Sequence, residues 1–274
     1  MTSPLMPLLI EPEELQAQLN NPAIDSAKLL VVDLCSEESY HRGHIPSAVH
    51  VSPKALVCGQ PPAPGRIAEL PQLEALFESL GLTADTHVVA YDDEGGGWAG
   101  RFIWTLDAIG HPHYSYLNGG IQGWRSAALP QSTAQESRTP VKQQLSLDPQ
   151  VVIEIADILP LLGQPGFAVW DARAPQEYRG EKVLAQKGGH IPGAINCEWT
   201  SMMDPSRDLR IREDALAQLN ALGLNDQQQI ITHCQSHHRS GFTYLLGKIL
   251  GFNIKGYHGS WSEWGNHPDT PVER

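Results

Sequence analysis

Short apolar runs rich in β-branched residues alternate along this chain with stretches in which apolar side chains recur every three or four positions. The runs from Leu29 to Leu34, His87 to Tyr91, Phe167 to Trp170 and Gln229 to His233 predict buried strands. Past the last of them the period changes. Phe242, Leu245, Leu246 and Ile249 fall at i, i+3, i+4 and i+7, which predicts a helix packed on the sheet, with Gly251 placed to take the left-handed conformation after its end. Strands alternating with helices predict an α/β architecture with mostly parallel sheets flanked by helices. In such sheets ligands lie beyond the carboxyl ends of the strands, so the residues directly after each strand are the first candidates for chemistry.

The pattern is duplicated. Leu30-Val31-Val32-Asp33 returns as Ala168-Val169-Trp170-Asp171, and Gly-His-Ile-Pro-Ser-Ala-Val at 43–49 returns as Gly-His-Ile-Pro-Gly-Ala-Ile at 189–195. The helical stretch 73–82 returns at 214–224, and 117–124, ending in Trp124, returns at 257–264, ending in Trp264. Identical order in both halves predicts two copies of one domain. The stretch from Pro130 to Pro140, rich in polar residues and breakers, reads as their connection. The predicted division is a first domain at 1–128, a linker at 129–145 and a second domain at 146–274.

Composition narrows the function. A length of 274 residues allows two domains with cores of their own. With 19 basic against 31 acidic side chains and a net charge of -12, the chain is ill suited to nucleic acid or an anionic membrane, so an anionic substrate needs a local basic site. No run of about 18 apolar residues occurs. The start, Met1 to Leu5, has no basic flank, and the expectation is a cytoplasmic protein. The four cysteines contain no Cys-x-x-Cys pair, so neither a metal site nor a redox pair is indicated. Cys35 and Cys197 lie in apolar runs and read as buried thiols, and Cys58 lies in a Pro/Gly-rich loop.

Cys234 is different. It directly follows a strand, and Gln235, Ser236, His237, His238, Arg239 and Ser240 lead from it into the helix. Unpaired N–H groups and the positive end of the helix dipole converge on an anion in such a loop. A thiol there, beside a cation, has its pKa lowered from about 8.5 to roughly 3.5–7.5. Cys234 is therefore the predicted nucleophile, with His237 and His238 binding or steering an anion. Arg239 is expected to hold the anion, to pair with a carboxylate such as Asp171, or both. In the first copy the loop after Tyr91 begins Asp92-Asp93-Glu94, with acidic residues where the nucleophile would stand, so that domain is expected to be a structural partner.

Asp171-Ala172-Arg173, the segment 189–194, the loop 234–239 and the closing Gly259-Ser260-Trp261-Ser262-Glu263-Trp264 together resemble the two-domain rhodanese family. These are thiosulfate:cyanide sulfurtransferases and their 3-mercaptopyruvate relatives, and bacterial members share a loop reading Cys-Gln-x-His-His-Arg. The resemblance covers nearly the whole chain. It implies two tandem rhodanese-like domains, the second catalytic, and transfer of the outer sulfur of thiosulfate to cyanide or another thiophile through a Cys234 persulfide. It implies donor binding by residues 235–240 together with Arg173 and Trp199, and no cofactor. Where vertebrate-type members carry a further substrate arginine this chain has Glu177, with Arg179 nearby. The cationic loop favours thiosulfate over the keto acid 3-mercaptopyruvate. A persulfide carrier serving a protein acceptor is the alternative from another class. A phosphatase or arsenate reductase is disfavoured, because four residues, not five, separate Cys234 from Arg239.

Overall fold

The structure, a computed structural model, describes residues 5–274; the start from Met1 to Pro4, on which the reading of the N-terminus depends, lies outside the described residues. In the first half, β1 (Leu9–Ile10), β2 (Leu29–Asp33), β3 (Val49–His50), β4 (His87–Tyr91) and β5 (Tyr114–Leu117) form a sheet in the order β1-β5-β4-β2-β3. In the second, β6 (Phe167–Asp171) and β7 (Ile195–Asn196) precede a small antiparallel ribbon of β8 (Met203–Asp204) and β9 (Arg210–Ile211). Then β10 (Gln229–His233) and β11 (Asn253–Gly256) complete a sheet ordered β11-β10-β6-β7. Every pair within the two main sheets is parallel. The central strands β2 and β4 are buried along their whole length, as expected where helices cover both faces. Among the described residues no helix is long and apolar enough to cross a membrane.

The predicted strands recur with small shifts at their ends. Leu34 falls just beyond β2, although its N–H still donates to Tyr91 O at 2.9 Å, and Asp171 joins β6 opposite His233. The duplicated motifs are fasteners. His44 stacks on Tyr40 at 3.8 Å, and the Tyr40 hydroxyl donates to Ala48 O at 2.9 Å. In the second copy His190 stacks on Tyr178 at 3.7 Å, and Tyr178 donates to Ala194 O at 2.7 Å. The two closing tryptophans do the same work, Trp124 donating its indole N–H to Pro130 O and Trp264 to Pro271 O, each at 2.8 Å.

The halves share one apolar core that includes Phe102 and Trp104 from the first copy and Trp170, Phe242 and Leu246 from the second. Its centre is the crossing of helix Gly97–Ala108 with helix Arg239–Ile249. The two backbones touch where Gly100 meets Gly241. A Cβ on Gly100 would lie 2.3 Å from Gly241 O, so only glycine allows this approach. Asp107 reinforces the seam by accepting from Tyr244 and Lys248 of the other half at 2.6 and 2.7 Å. The stretch 129–145 has no helix and only an isolated bridge at Ser132. It is laid along the first half, where Arg138 donates to the carbonyls of Ser26, Ala27 and Leu29.

Burial of His87 and His233 pushes both pKa values down to about 4, so both are neutral at pH 7 and take up protons on unfolding in mild acid. A depressed folded pKa contributes stability that is present above the unfolded value of about 6.5 and lost as pH falls through about 4. Burial, aided by Glu94, raises Asp92 to about 6, burial raises Asp33, and Glu94 raises His238 against its burial, and these groups oppose the trend. His237, His111 and His258 are lowered as well, mainly by burial, so the histidines prevail. Urea midpoints measured at steps between pH 7 and pH 4 should therefore fall. Each net proton taken up contributes about 1.4 kcal/mol per pH unit, and a flat profile would contradict the buried neutral histidines.

Candidate active site

Strand β10 ends at His233, and the chain turns through Cys234 to His238 before the helix starts at Arg239. The Cys234 sulfur lies in the concavity of this turn, in a residue only 1% exposed. Burial alone would push its thiol up. The Arg239 charge, the hydroxyl and N–H of Ser240 and the N–H of Ser236 outweigh that, and the pKa is lowered. The closing motif holds the turn from behind: Trp261 N–H donates to Cys234 O at 2.9 Å, Ser262 N–H to Gln235 O at 2.9 Å, and Cys234 N–H to Ser260 Oγ at 3.3 Å. These bonds give the closing Gly-Ser-Trp segment its place against the Cys234 turn, a partnership that the motif alone does not reveal.

Arg239 does not pair with Asp171. Its guanidinium makes a bidentate pair with Glu177, Nη1 to Oε2 at 2.7 Å and Nη2 to Oε1 at 2.9 Å, while Glu177 is nearly buried. Glu177 is thus the carboxylate that aims Arg239. Asp171 is instead occupied by Arg173, which donates from Nε at 2.9 Å and Nη2 at 2.6 Å and also reaches Gly189 O. Arg173 is 1% exposed with its face over Trp261, and all this bonding holds it in the domain interior, so the structure does not bring it to the loop. Arg179 is exposed and paired with Glu181.

The two loop histidines part company. His237 is fully buried, its Nδ1 2.7 Å from Ser240 Oγ and its ring edge-on to Trp104 at 4.6 Å. Burial holds it neutral, so the expectation that it binds an anion does not survive. With the Ser240 O–H donating to the Cys234 sulfur, the hydroxyl oxygen is left to accept from His237 Nδ1–H. His238 lies at the mouth of the turn, hydrogen-bonded to Glu94, stacked on Trp98 at 4.4 Å and edge-on to Trp199 at 5.6 Å. Burial opposes its charge, but Glu94 and the Cys234 sulfur outweigh that and raise its pKa. Trp199 is half-buried beside His238 and Phe242. Gln235 and Ser236 are partly exposed, and Gly65 of the first half packs against Ser236 O so closely that a Cβ would sit 2.0 Å away.

The equivalent turn after β4 is plugged by its own side chain. Asp92 is fully buried and accepts from the backbone N–H groups of Glu94, Gly96 and Ala99 at 3.2, 2.8 and 3.0 Å. A carboxylate fills the cradle that an external anion would need. Glu94, Trp98 and Arg101 of this half nevertheless reach the second turn, a contribution that motif spacing could not reveal.

The sequence matches the Rhodanese-like domain family over residues 11–127 and again over 155–267. The chain belongs to the rhodanese family. This tandem rhodanese is 54% identical to the thiosulfate sulfurtransferase of Azotobacter vinelandii, over 98% of this chain and 97% of that protein. It is also 54% identical to the thiosulfate sulfurtransferase of Pseudomonas aeruginosa, again over 98% of this chain and 97% of that protein. Among solved structures, wild-type EanB superposes with a TM-score of 0.85 over 97% of this rhodanese and 69% of that chain. Its identity is 22%, so this likeness concerns the fold alone.

Proposed function

We propose that this rhodanese is a thiosulfate sulfurtransferase working through a persulfide on Cys234. The supporting observation is the buried sulfur ringed by the N–H groups of Ser236 and Ser240, the Ser240 hydroxyl and Arg239. The Cys234 thiolate attacks the outer sulfur of thiosulfate; the S–S bond breaks, and sulfite leaves with its electron pair. Cyanide or another thiophile then attacks the outer sulfur of the persulfide, and the thiolate is regenerated. The same donors stabilise the negative charge before and after transfer, so little reorganisation is needed. His238 at the mouth supplies a cation for the departing sulfonate, flanked by Trp199, with Gln235 and Ser236 on the open side. Residues 146–274 carry the chemistry, 129–145 connect, and 1–128 cover the site. A cytoplasmic setting, in which its four free cysteines stay reduced, and a protein thiol as natural acceptor belong to the same reading.

The test is mass spectrometry of protein mixed with thiosulfate. One added sulfur should appear on the peptide containing Cys234 and disappear, with release of thiocyanate, when cyanide is added. Protein that stays unmodified yet hydrolyses an aryl phosphate would support a phosphatase instead.

A further inference from the structure

The first half lacks a nucleophile, yet one of its side chains underlies the catalytic turn. Arg101, in helix Gly97–Ala108, is fully buried. Its Nη1 donates to His237 O at 3.4 Å and its Nη2 to Leu56 O at 3.1 Å, its guanidinium carbon lies 4.6 Å from the Trp104 ring centre, and its Nε has no partner. No carboxylate of the described residues pairs with it. Asp107, farther along the same helix, is taken by Tyr114, Tyr244 and Lys248. A guanidinium deprived of both water and a carboxylate is costly, and proteins keep such charges only where something anionic faces them. Burial lowers the Arg101 pKa to about 9, which leaves it charged at neutral pH, and the groups that counter this are the sulfurs of Cys234 and Cys58. Cys58 is turned to the carbonyls of Ala63 and Pro64, at 3.6 and 3.8 Å.

We infer that Arg101 is a positioning residue of the sulfur-transfer site: a fixed cation, supplied by the inactive half, that holds the turn through His237 O and through its charge favours the anionic form of Cys234. His237 itself sits at a positive φ of 56°, a conformation that a non-glycine residue keeps only when its surroundings enforce it, and the Arg101 bond falls on its carbonyl. The other charged or titratable groups around the sulfur are Arg239 on the helix, His233 on β10 and His238 at the mouth. The carboxylates Glu177, Asp171 and Glu94 lie behind Arg239, Arg173 and His238 respectively. Arg101 also faces His237 and His258, both held neutral mainly by burial, so neither competes with the thiolate for it.

The inference rests on Cys234 being the nucleophile, and its test reads the thiol directly. After persulfide is discharged with cyanide, the pH dependence of iodoacetamide alkylation at Cys234 is measured in the full chain for Arg101→Met, Arg101→Gln and Arg101→Lys. Met and Gln both remove the charge, Gln with a polar end two bonds short of the Nη atoms, and Lys keeps the charge. The neutral variants should raise the thiol pKa by about one unit, and so slow persulfide formation about tenfold on the acidic side of both values, with the rates converging in alkali. The KM for thiosulfate should change less than twofold, and Lys should restore most of the shift. Neutral variants that alkylate with the native pH profile would overturn the inference, as would a Lys variant shifted as far as they are. Failure of thiosulfate as donor would leave the alkylation profile unchanged, so the two readings fail separately.

Discussion

Cys234→Ser is expected to lower thiosulfate:cyanide turnover by on the order of 10^4-fold or more and to leave no persulfide on the protein. A serine hydroxyl in this turn has the same donors around it, but its oxygen ionises far less readily and cannot carry sulfane sulfur through the cycle. The side chains are close in size and the site is buried, so the fold should persist, which circular dichroism and a thermal midpoint close to native would establish. Thiocyanate formation that survives in this variant would remove Cys234 from the mechanism. Cys35 and Cys197 serve as controls, because burial raises both thiols and nothing nearby reverses it, so their alanine variants should keep persulfide formation.

Arg239→Met should damage both stability and chemistry. Its removal leaves Glu177, with a side chain only 4% exposed, as a buried charge without its bidentate partner, a loss of about 3–5 kcal/mol. The Cys234 thiol also loses the main charge that opposes its burial, so persulfide formation at neutral pH should drop by about 100-fold. Arg239→Lys should recover part of the stability and little of the rate, since an ammonium cannot make both bonds to Glu177 and still be aimed at the sulfur. Denaturant midpoints and single-turnover rates separate the two effects. A native rate in Arg239→Met would mean that the backbone donors suffice alone.

Much of this was legible along the chain. Strand and helix periodicity depends on near neighbours, and so located β2, β4, β6 and β10 within a residue or two at their ends. The duplication revealed two copies of one domain, and Cys234 stood out because a thiol directly between a strand end and a helix start meets backbone donors wherever the surroundings lie. Asp92 at the matching point of the first copy marked that loop as different, and its reason is simple: the carboxylate consumes the N–H groups itself.

Partnership was not legible. Adjacent residues in a turn point in opposite directions, so His237 is sealed against Trp104 while His238 stands at the mouth, although the sequence presents them as a pair. Arg239 and Arg173 both have carboxylates within reach of the family pattern, and only the packing of the segment around Glu177 decided that the first takes Glu177 and the second Asp171. Glu94 and Arg101 act across the crossing at Gly100 and Gly241, where two helices more than a hundred residues apart come into backbone contact. Periodicity and strand-to-helix position determined the fold, the duplication and which cysteine stands at a strand-to-helix turn, because each is set by covalent neighbours and local hydrogen bonds. The tertiary structure decided which charges meet in the low-dielectric seam between the halves, because burial and ion pairing depend on long-range packing that spacing along the chain does not encode.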